Sequence, residues 1–328
     1  MKSFIHINAR TVQEACGLLR QFDGKAVLQA GGTDLLSTLK GEGLSDYPEA
    51  LINIKTISGF ESIEADDQGL KIGAGIKLSR MVESSVLRER YKVLAEAAHT
   101  VAGPQIRNMA TLGGNLCQDV RCWYYRYPRH IGGPVQCARK GRGPCLAVKG
   151  DNRYHAILGG KKCFAVGPSD TAVALAALDG RLDVVGPDGE RKVAVTDFFS
   201  PLAKALKKDE MIRSIEVPPP PAGARQGFLK FTLRRPIDFA IVSVAAVIDS
   251  EAGRCQEARI ALGALAPGPV RAYKAEAYLK GRPLNRETAG EAAEQALMDA
   301  RPLSMNAYKI EIAKTLVKRS ILGTLGAE

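Results

Sequence analysis

The chain has 328 residues, with 46 Lys and Arg against 35 Asp and Glu, a formal net charge of +11, and 45% apolar residues. This composition excludes a disordered or collagen-like polymer, and the length supports about two domains with sizeable cores. Apolar runs such as 240–248 (AIVSVAAVI) fall short of the roughly 20 residues of a membrane span. The opening MKSFIHINARTVQEA lacks the pattern of an export signal, so a cytoplasmic protein is expected.

In chain order, 25–30 (KAVLQA) reads as a short strand, Gly31 and Gly32 as a close turn, and Thr33 and Asp34 as the cap of a helix through Leu39. A second strand follows at 51–54, and 70–82 repeats the order strand, glycine, helix. A helix is expected around 90–100, with Leu94, Ala97 and Ala98 at helical spacing. From Val101 the residues turn to Gly, Pro, Asn and Thr, and 121–163 shows no helical or strand period. An irregular stretch of that length inside a compact domain is usually functional. A helix at 171–178 and a strand at 182–185 come next, and the proline run at 217–223 marks a boundary. Beyond it, strands are expected at 228–233, 240–249 and 259–265, then helices near 271–279, 287–300 and 305–322.

Two glycine pairs carry chemical potential: Ala30-Gly31-Gly32-Thr33-Asp34-Leu35 and Ala110-Thr111-Leu112-Gly113-Gly114-Asn115. Residues without Cβ beside Thr let backbone N–H groups approach a phosphate. Neither pair fits the Rossmann fingerprint or the P-loop, and each alone also reads as a tight turn.

Five of the seven cysteines lie between Cys117 and Cys163, while Cys16 and Cys255 read as small core residues. Cys122, Cys137, Cys145 and Cys163 are separated by 14, 7 and 17 residues, without the short knuckle of a zinc finger. Four widely spaced thiolates suit a cubane iron–sulfur cluster. Zinc on three Cys with His155 or Cys163, and unliganded or disulfide cysteines, stay open. Charge concentrates in the same place: residues 121–163 hold ten bases and one acid, whereas the rest has 36 bases and 34 acids. Trp123, Tyr124, Tyr125, Tyr127 and Tyr154 interleave with these bases, in the manner of a single-strand stacking platform. Because bases and thiolates share one segment, the preferred reading is a basic shell around a cluster and a dock for an acidic redox protein. Neither nucleic acid nor membrane is an expected partner. The scattered histidines form no hydrolytic constellation.

The segments AGGTDLL (30–36), IGAGIKLS (72–79), ATLGGNL (110–116), SDTAVALAALDG (169–180) and KFTLRRPIDFAIVSVAA (230–246) resemble the FAD-binding subunits of the molybdenum hydroxylases, the xanthine dehydrogenase and carbon monoxide dehydrogenase family. The likeness runs through the chain in order. It implies an α+β chain with a vanillyl-alcohol-oxidase (PCMH) type FAD-binding fold over 1–217, in subdomains of about 1–57 and 58–217. A C-terminal domain of the carbon monoxide dehydrogenase flavoprotein type, an antiparallel sheet with helices, would occupy 222–328. It also implies FAD contacts at Gln29, Ala30, Gly31, Gly32, Thr33, Asp34, Leu35 and Leu36, at Thr111, Leu112, Gly113, Gly114 and Asn115, and at Asp170 and Lys230.

The cysteine-rich insertion at 117–163 resembles the β subunit of the 4-hydroxybenzoyl-CoA reductases, which carries an extra [4Fe-4S] cluster. By that likeness Cys122, Cys137, Cys145 and Cys163 are the ligands, with Cys117 or His155 as alternatives for the last. The implied partners are a molybdopterin-containing large subunit and a [2Fe-2S] small subunit, in a dimer of heterotrimers, with a ferredoxin as donor. The implied activity is electron transfer toward reductive dehydroxylation. The alternative is the FAD subunit of another molybdenum hydroxylase, acting on an aldehyde, an N-heterocycle or a different acyl-CoA.

Overall fold

The computed structural model describes residues 1–43, 47–234 and 237–325, so Arg235 and Pro236 of the 230–246 run and the end of the expected 222–328 domain lie outside the described residues. Strands β1 (Ile5–Asn8), β2 (Ala26–Gln29) and β3 (Ala50–Asn53) form a parallel sheet in the order β1-β3-β2. The crossovers are helices α1 (Val12–Gln21) and α2 (Leu35–Gly41). The Thr11 hydroxyl accepts the Glu14 N–H, and the Glu14 carboxylate accepts the Arg10 N–H, which starts α1. Central β3 is buried at every position, as expected for a covered parallel strand. The carboxyl end of β2 opens onto the first glycine pair, the end of a parallel sheet where ligands usually bind.

Strands β4 (Ile63–Asp66) and β5 (Gly69–Gly73) begin a second sheet. Five short helices follow: α3 (Leu78–Glu83), α4 (Ser85–Arg90), α5 (Lys92–His99), α6 (Pro104–Arg107) and α7 (Leu112–Cys117). The insertion contributes α8 (Trp123–Arg126) and single 3-10 turns at Arg129–Ile131, Ala138–Lys140 and Leu146–Val148. Helix α9 (Asp170–Ala177) leads to β6 (Arg181–Gly186), β7 (Gly189–Ala194) and β8 (Met211–Val217). This sheet is antiparallel in the order β4-β5-β8-β6-β7. A third sheet, antiparallel, takes β9 (Arg225–Phe231), β10 (Val242–Glu251), β11 (Arg254–Gly263) and β12 (Val270–Arg271), backed by α10 (Tyr273–Leu279), α11 (Arg286–Leu297) and α12 (Tyr308–Gly323).

Alternation along β10 sorts its side chains between two cores. Ala245 and Val247 join the core of the first two sheets, while Val244, Ala246 and Ile248 face α10–α12. Helix α9 is apolar on every side because it is buried along its whole length, against α5 on one side and β10 and β11 on the other. No helix of the described residues is long and apolar enough to cross a membrane.

The helix expected around 90–100 is α5, and α4 precedes it, ending beside Tyr91, whose side chain is fully buried. Two expectations are corrected. The glycine-rich 101–119 stretch contains α6 and α7: Pro104 opens the first, and the Thr111 hydroxyl caps the second by accepting the Gly114 N–H. The 121–163 stretch is built from short turns around buried cysteines rather than lacking local structure throughout.

Candidate cofactor site

The two glycine loops lie against each other. A Cβ on Gly31 would stand 2.0 Å from the Met109 carbonyl oxygen and 2.9 Å from Ala110 Cα, so only glycine permits this approach. Gly32 follows at φ +71, a left-handed conformation that favours glycine. Among the described residues, the backbone N–H groups of Gly31, Gly32, Thr33 and Asp34 have no hydrogen-bond partner. Half-buried amides in a row, at the carboxyl end of a parallel sheet, are free to donate to an anionic acceptor. A cavity of about 460 Å³ opens beside them, lined by Ala30, Ile54, Lys55, Phe60, Ser62, Gly75 and Thr111.

The second pair works differently from the first. The amides of Leu112, Gly113 and Gly114 are taken by the Ile76 carbonyl, the Ala74 carbonyl and the Thr111 hydroxyl. A Cβ on Gly113 would meet Ala74 Cβ at 2.9 Å. These glycines therefore supply close packing, not free donors. Gln29 ends β2, and Leu35 and Leu36 open α2. Asn115 is buried, and its side-chain oxygen accepts from Ser169 (2.6 Å) and Thr171 (2.7 Å), tying α7 to the start of α9.

Asp170 and Lys230 come together as a buried ion pair of 2.7 Å, and the Lys230 ammonium also donates to the Thr100 carbonyl. Burial pushes the Asp170 carboxyl up, and Lys230 draws it partly back.

Cys122, Cys137, Cys145 and Cys163 line one small cavity together with Tyr124, Tyr125 and Arg139. Three are buried and Cys145 is half-buried. The Cys145 thiol is lowered to about 6 by a hydrogen bond from Cys163, which is raised correspondingly, and burial raises Cys122. Among the described residues no three His, Cys, Asp or Glu side chains form a group able to hold one metal ion. Cys117 is exposed and outside this lining, and His155 stands behind Cys122 with Nε2 3.3 Å from its sulfur. Cys16 and Cys255 are core residues, as expected.

Sequence reasoning missed what joins the two places. The Asp34 carboxylate does not cap α2. It accepts from Arg121 (2.7 Å), Arg126 (2.9 Å) and the Asp119 N–H (2.8 Å), all at the start of the insertion. Arg126 also reaches the Thr38 hydroxyl, and Arg139, beside the cysteine cavity, pairs with Asp119 at 2.9 Å. Three of the ten bases thus point inward to two acids. Arg129, Arg142, Lys149, Lys161 and Lys162 are exposed and make no ion pair among the described residues.

An α+β chain that offers free amides at the carboxyl end of a parallel sheet has the framework of a dinucleotide-binding protein. Similarity to known proteins makes the class definite: residues 2–220 match the FAD binding domain in molybdopterin dehydrogenase, and 228–324 match the CO dehydrogenase flavoprotein C-terminal domain. The chain belongs to the FAD-binding medium subunits of the xanthine dehydrogenase and carbon monoxide dehydrogenase family of molybdenum hydroxylases. It is 33% identical over 323 residues to the aldehyde oxidoreductase FAD-binding subunit PaoB of Escherichia coli K12, covering 96% of each chain. It is 26% identical to the xanthine dehydrogenase FAD-binding subunit of Escherichia coli O157:H7, covering 97% of this chain and 95% of that one. Among solved structures, a carbon monoxide dehydrogenase from Hydrogenophaga pseudoflava superposes with a TM-score of 0.78 at 27% identity, covering 99% of this chain and 98% of that one.

Proposed function

We propose that this subunit relays electrons between a molybdenum-bearing partner and an external carrier. In this reading FAD lies on Gln29–Leu36 and Thr111–Asn115, with Asp170 and Lys230 completing its contacts. A [4Fe-4S] cluster is held by Cys122, Cys137, Cys145 and Cys163. The observation that carries the reading is the junction at Asp34, where one carboxylate ties the loop of free amides to the segment that surrounds the cysteine cavity.

When bound, the flavin exchanges electrons singly or in pairs and the cluster exchanges them one at a time. The chain's own residues hold and insulate these groups. The Gly31–Asp34 amides would hold the pyrophosphate, while Gly31 lets its loop pack on Met109 and Ala110 and Gly113 lets α7 pack on Ala74. Four cysteine thiols line this one small space, and four cysteines are the donor set of a cubane cluster. Arg139 at its wall offsets negative charge on the thiolates.

Substrate chemistry then belongs to partners: a molybdopterin-containing large subunit and a [2Fe-2S] small subunit, in a dimer of heterotrimers. The exposed bases Arg142, Lys149, Lys161 and Lys162 suit an acidic carrier such as a ferredoxin. Resemblance of the insertion favours reductive dehydroxylation of 4-hydroxybenzoyl-CoA. The whole-length likeness to an aldehyde oxidoreductase subunit favours a second reading, oxidation of an aldehyde or another hydroxylase substrate.

Iron and acid-labile sulfide analysis of the purified chain tests the cluster. About four irons per chain, lost in Cys→Ser variants at 122, 137, 145 or 163 but kept at 117, is the expected result. Iron-free protein with one zinc per chain would overturn it. Turnover of the assembled complex on 4-hydroxybenzoyl-CoA with a low-potential donor, against turnover on aromatic aldehydes with an acceptor, decides between the substrate readings.

A further inference from the structure

His155 is 3% exposed, and its Nε2 stands 3.3 Å from the Cys122 sulfur. Its Nδ1 is buried without a partner among the described residues. A buried lone pair left unpaired costs less than a buried N–H left unpaired, so the proton belongs on Nε2, facing the sulfur. A cysteine that ligates metal is a thiolate with no proton of its own to donate. The contact can then run only one way, from N–H to sulfur.

The ring is also fixed in place. Trp123 packs edge-on against it with centroids 5.6 Å apart, and Tyr124 lies at 6.1 Å. The His155 N–H donates to the Asn152 carbonyl, and its own carbonyl accepts from Asn306 at 3.1 Å and from the buried Lys309 ammonium at 3.2 Å. This backbone cannot advance the imidazole into the cavity, whose lining includes the four cysteines and omits His155.

We infer that His155 is not a ligand but the hydrogen-bond donor to Cys122 that raises the reduction potential of the cluster, an inference resting on the cluster reading above. Reduction adds negative charge to the cluster and its cysteine sulfurs. A donor aimed at one of those sulfurs strengthens as that charge grows, and so favours the reduced state. His155 is thus a positioning and tuning residue acting through Cys122.

The test compares wild type, His155→Phe and His155→Gln in the full chain with cofactors bound, reading iron per chain and the midpoint of an EPR-monitored redox titration. Phenylalanine removes the donor, and glutamine keeps an N–H of similar reach. The expected result is unchanged iron in both variants. In His155→Phe the one-electron reduction equilibrium weakens about three- to tenfold, where tenfold is 59 mV, and His155→Gln recovers part of the loss. An unmoved midpoint at full iron content overturns the inference. Iron lost from both variants while Cys163→Ser retains it also overturns it, by making His155 a ligand. Wild-type protein free of iron would instead overturn the cluster reading itself, so the two failures are distinguishable.

Discussion

Replacing Gly31 by alanine adds one methyl group where three backbone atoms already stand: the Met109 carbonyl oxygen at 2.0 Å, its carbon at 2.7 Å and Ala110 Cα at 2.9 Å. Real Cβ contacts essentially never fall under 3.0 Å, and none of these atoms is the free end of a side chain. The two glycine loops must therefore part by about 1 Å. Overpacking of this kind costs about 1–3 kcal/mol. The displaced backbone is the strip carrying the free amides, so much of that cost should appear in cofactor binding. At 1.4 kcal/mol per tenfold, FAD affinity should fall about five- to hundredfold. Fluorescence titration of the apoprotein with FAD measures this directly. Gly17→Ala in α1, where a Cβ meets nothing within 4 Å, is the control and should leave affinity unchanged. A Gly31→Ala protein that binds FAD with the wild-type Kd and melts at the wild-type temperature would refute the assignment of this contact.

Two further outcomes follow from buried charge. Lys230→Met strands the Asp170 carboxylate, 6% exposed, without its partner, and should cost about 3 kcal/mol in urea denaturation. Lys230→Met with Asp170→Asn should recover most of that loss; a double variant as unstable as the single one would contradict the pairing. Lys309 is buried with carbonyl oxygens as its only partners among the described residues, and burial draws its ammonium down to about 7. Below that pH the folded and unfolded chains both carry the proton, and the folded state bears the full cost. Between pH 7 and about 10.4 the unfolded chain keeps a proton the folded one has released, so stability rises with pH. Wild type should therefore gain up to about 5 kcal/mol over Lys309→Met across that window, and parallel pH profiles would exclude it.

Where structure follows local pattern, the sequence was readable. Strands β9 to β11 and helices α9 to α12 stand close to their expected places, because each is a sustained apolar or amphipathic run set between turn residues. Helix α7 was hidden by Gly113 and Gly114, poor helix formers that are tolerated because the Thr111 cap and packing on Ala74 hold them. The juxtaposition of the glycine loops was suggested by resemblance, but their unequal roles were not: which amides remain free depends on the strand-like partner at 74–76. Net charge located the basic insertion without saying which way its side chains turn. Arg121 and Arg126 find Asp34 some 87 and 92 residues back, a pairing no local pattern encodes. The four cysteines were identifiable as a group by type and clustering, while the place of His155 behind Cys122 needed the fold.

The bond between Asp34 and the insertion bears on how such a subunit could be rebuilt. Residues 117–163 are not a cassette that can be lifted out by their ends. Arg121 and Arg126 arrive expecting an acid at 34 and a hydroxyl at 38, and Arg139 expects the Pro201 carbonyl. Transplanting the cysteine segment into another flavin scaffold without those anchors would bring in Arg121 and Arg126 without the carboxylate that pairs with them, while Arg139 would keep Asp119 and lose only its carbonyl partner. Deleting the segment would leave the Asp34 carboxylate unpaired beside the row of free amides, where it would repel any anion they took up.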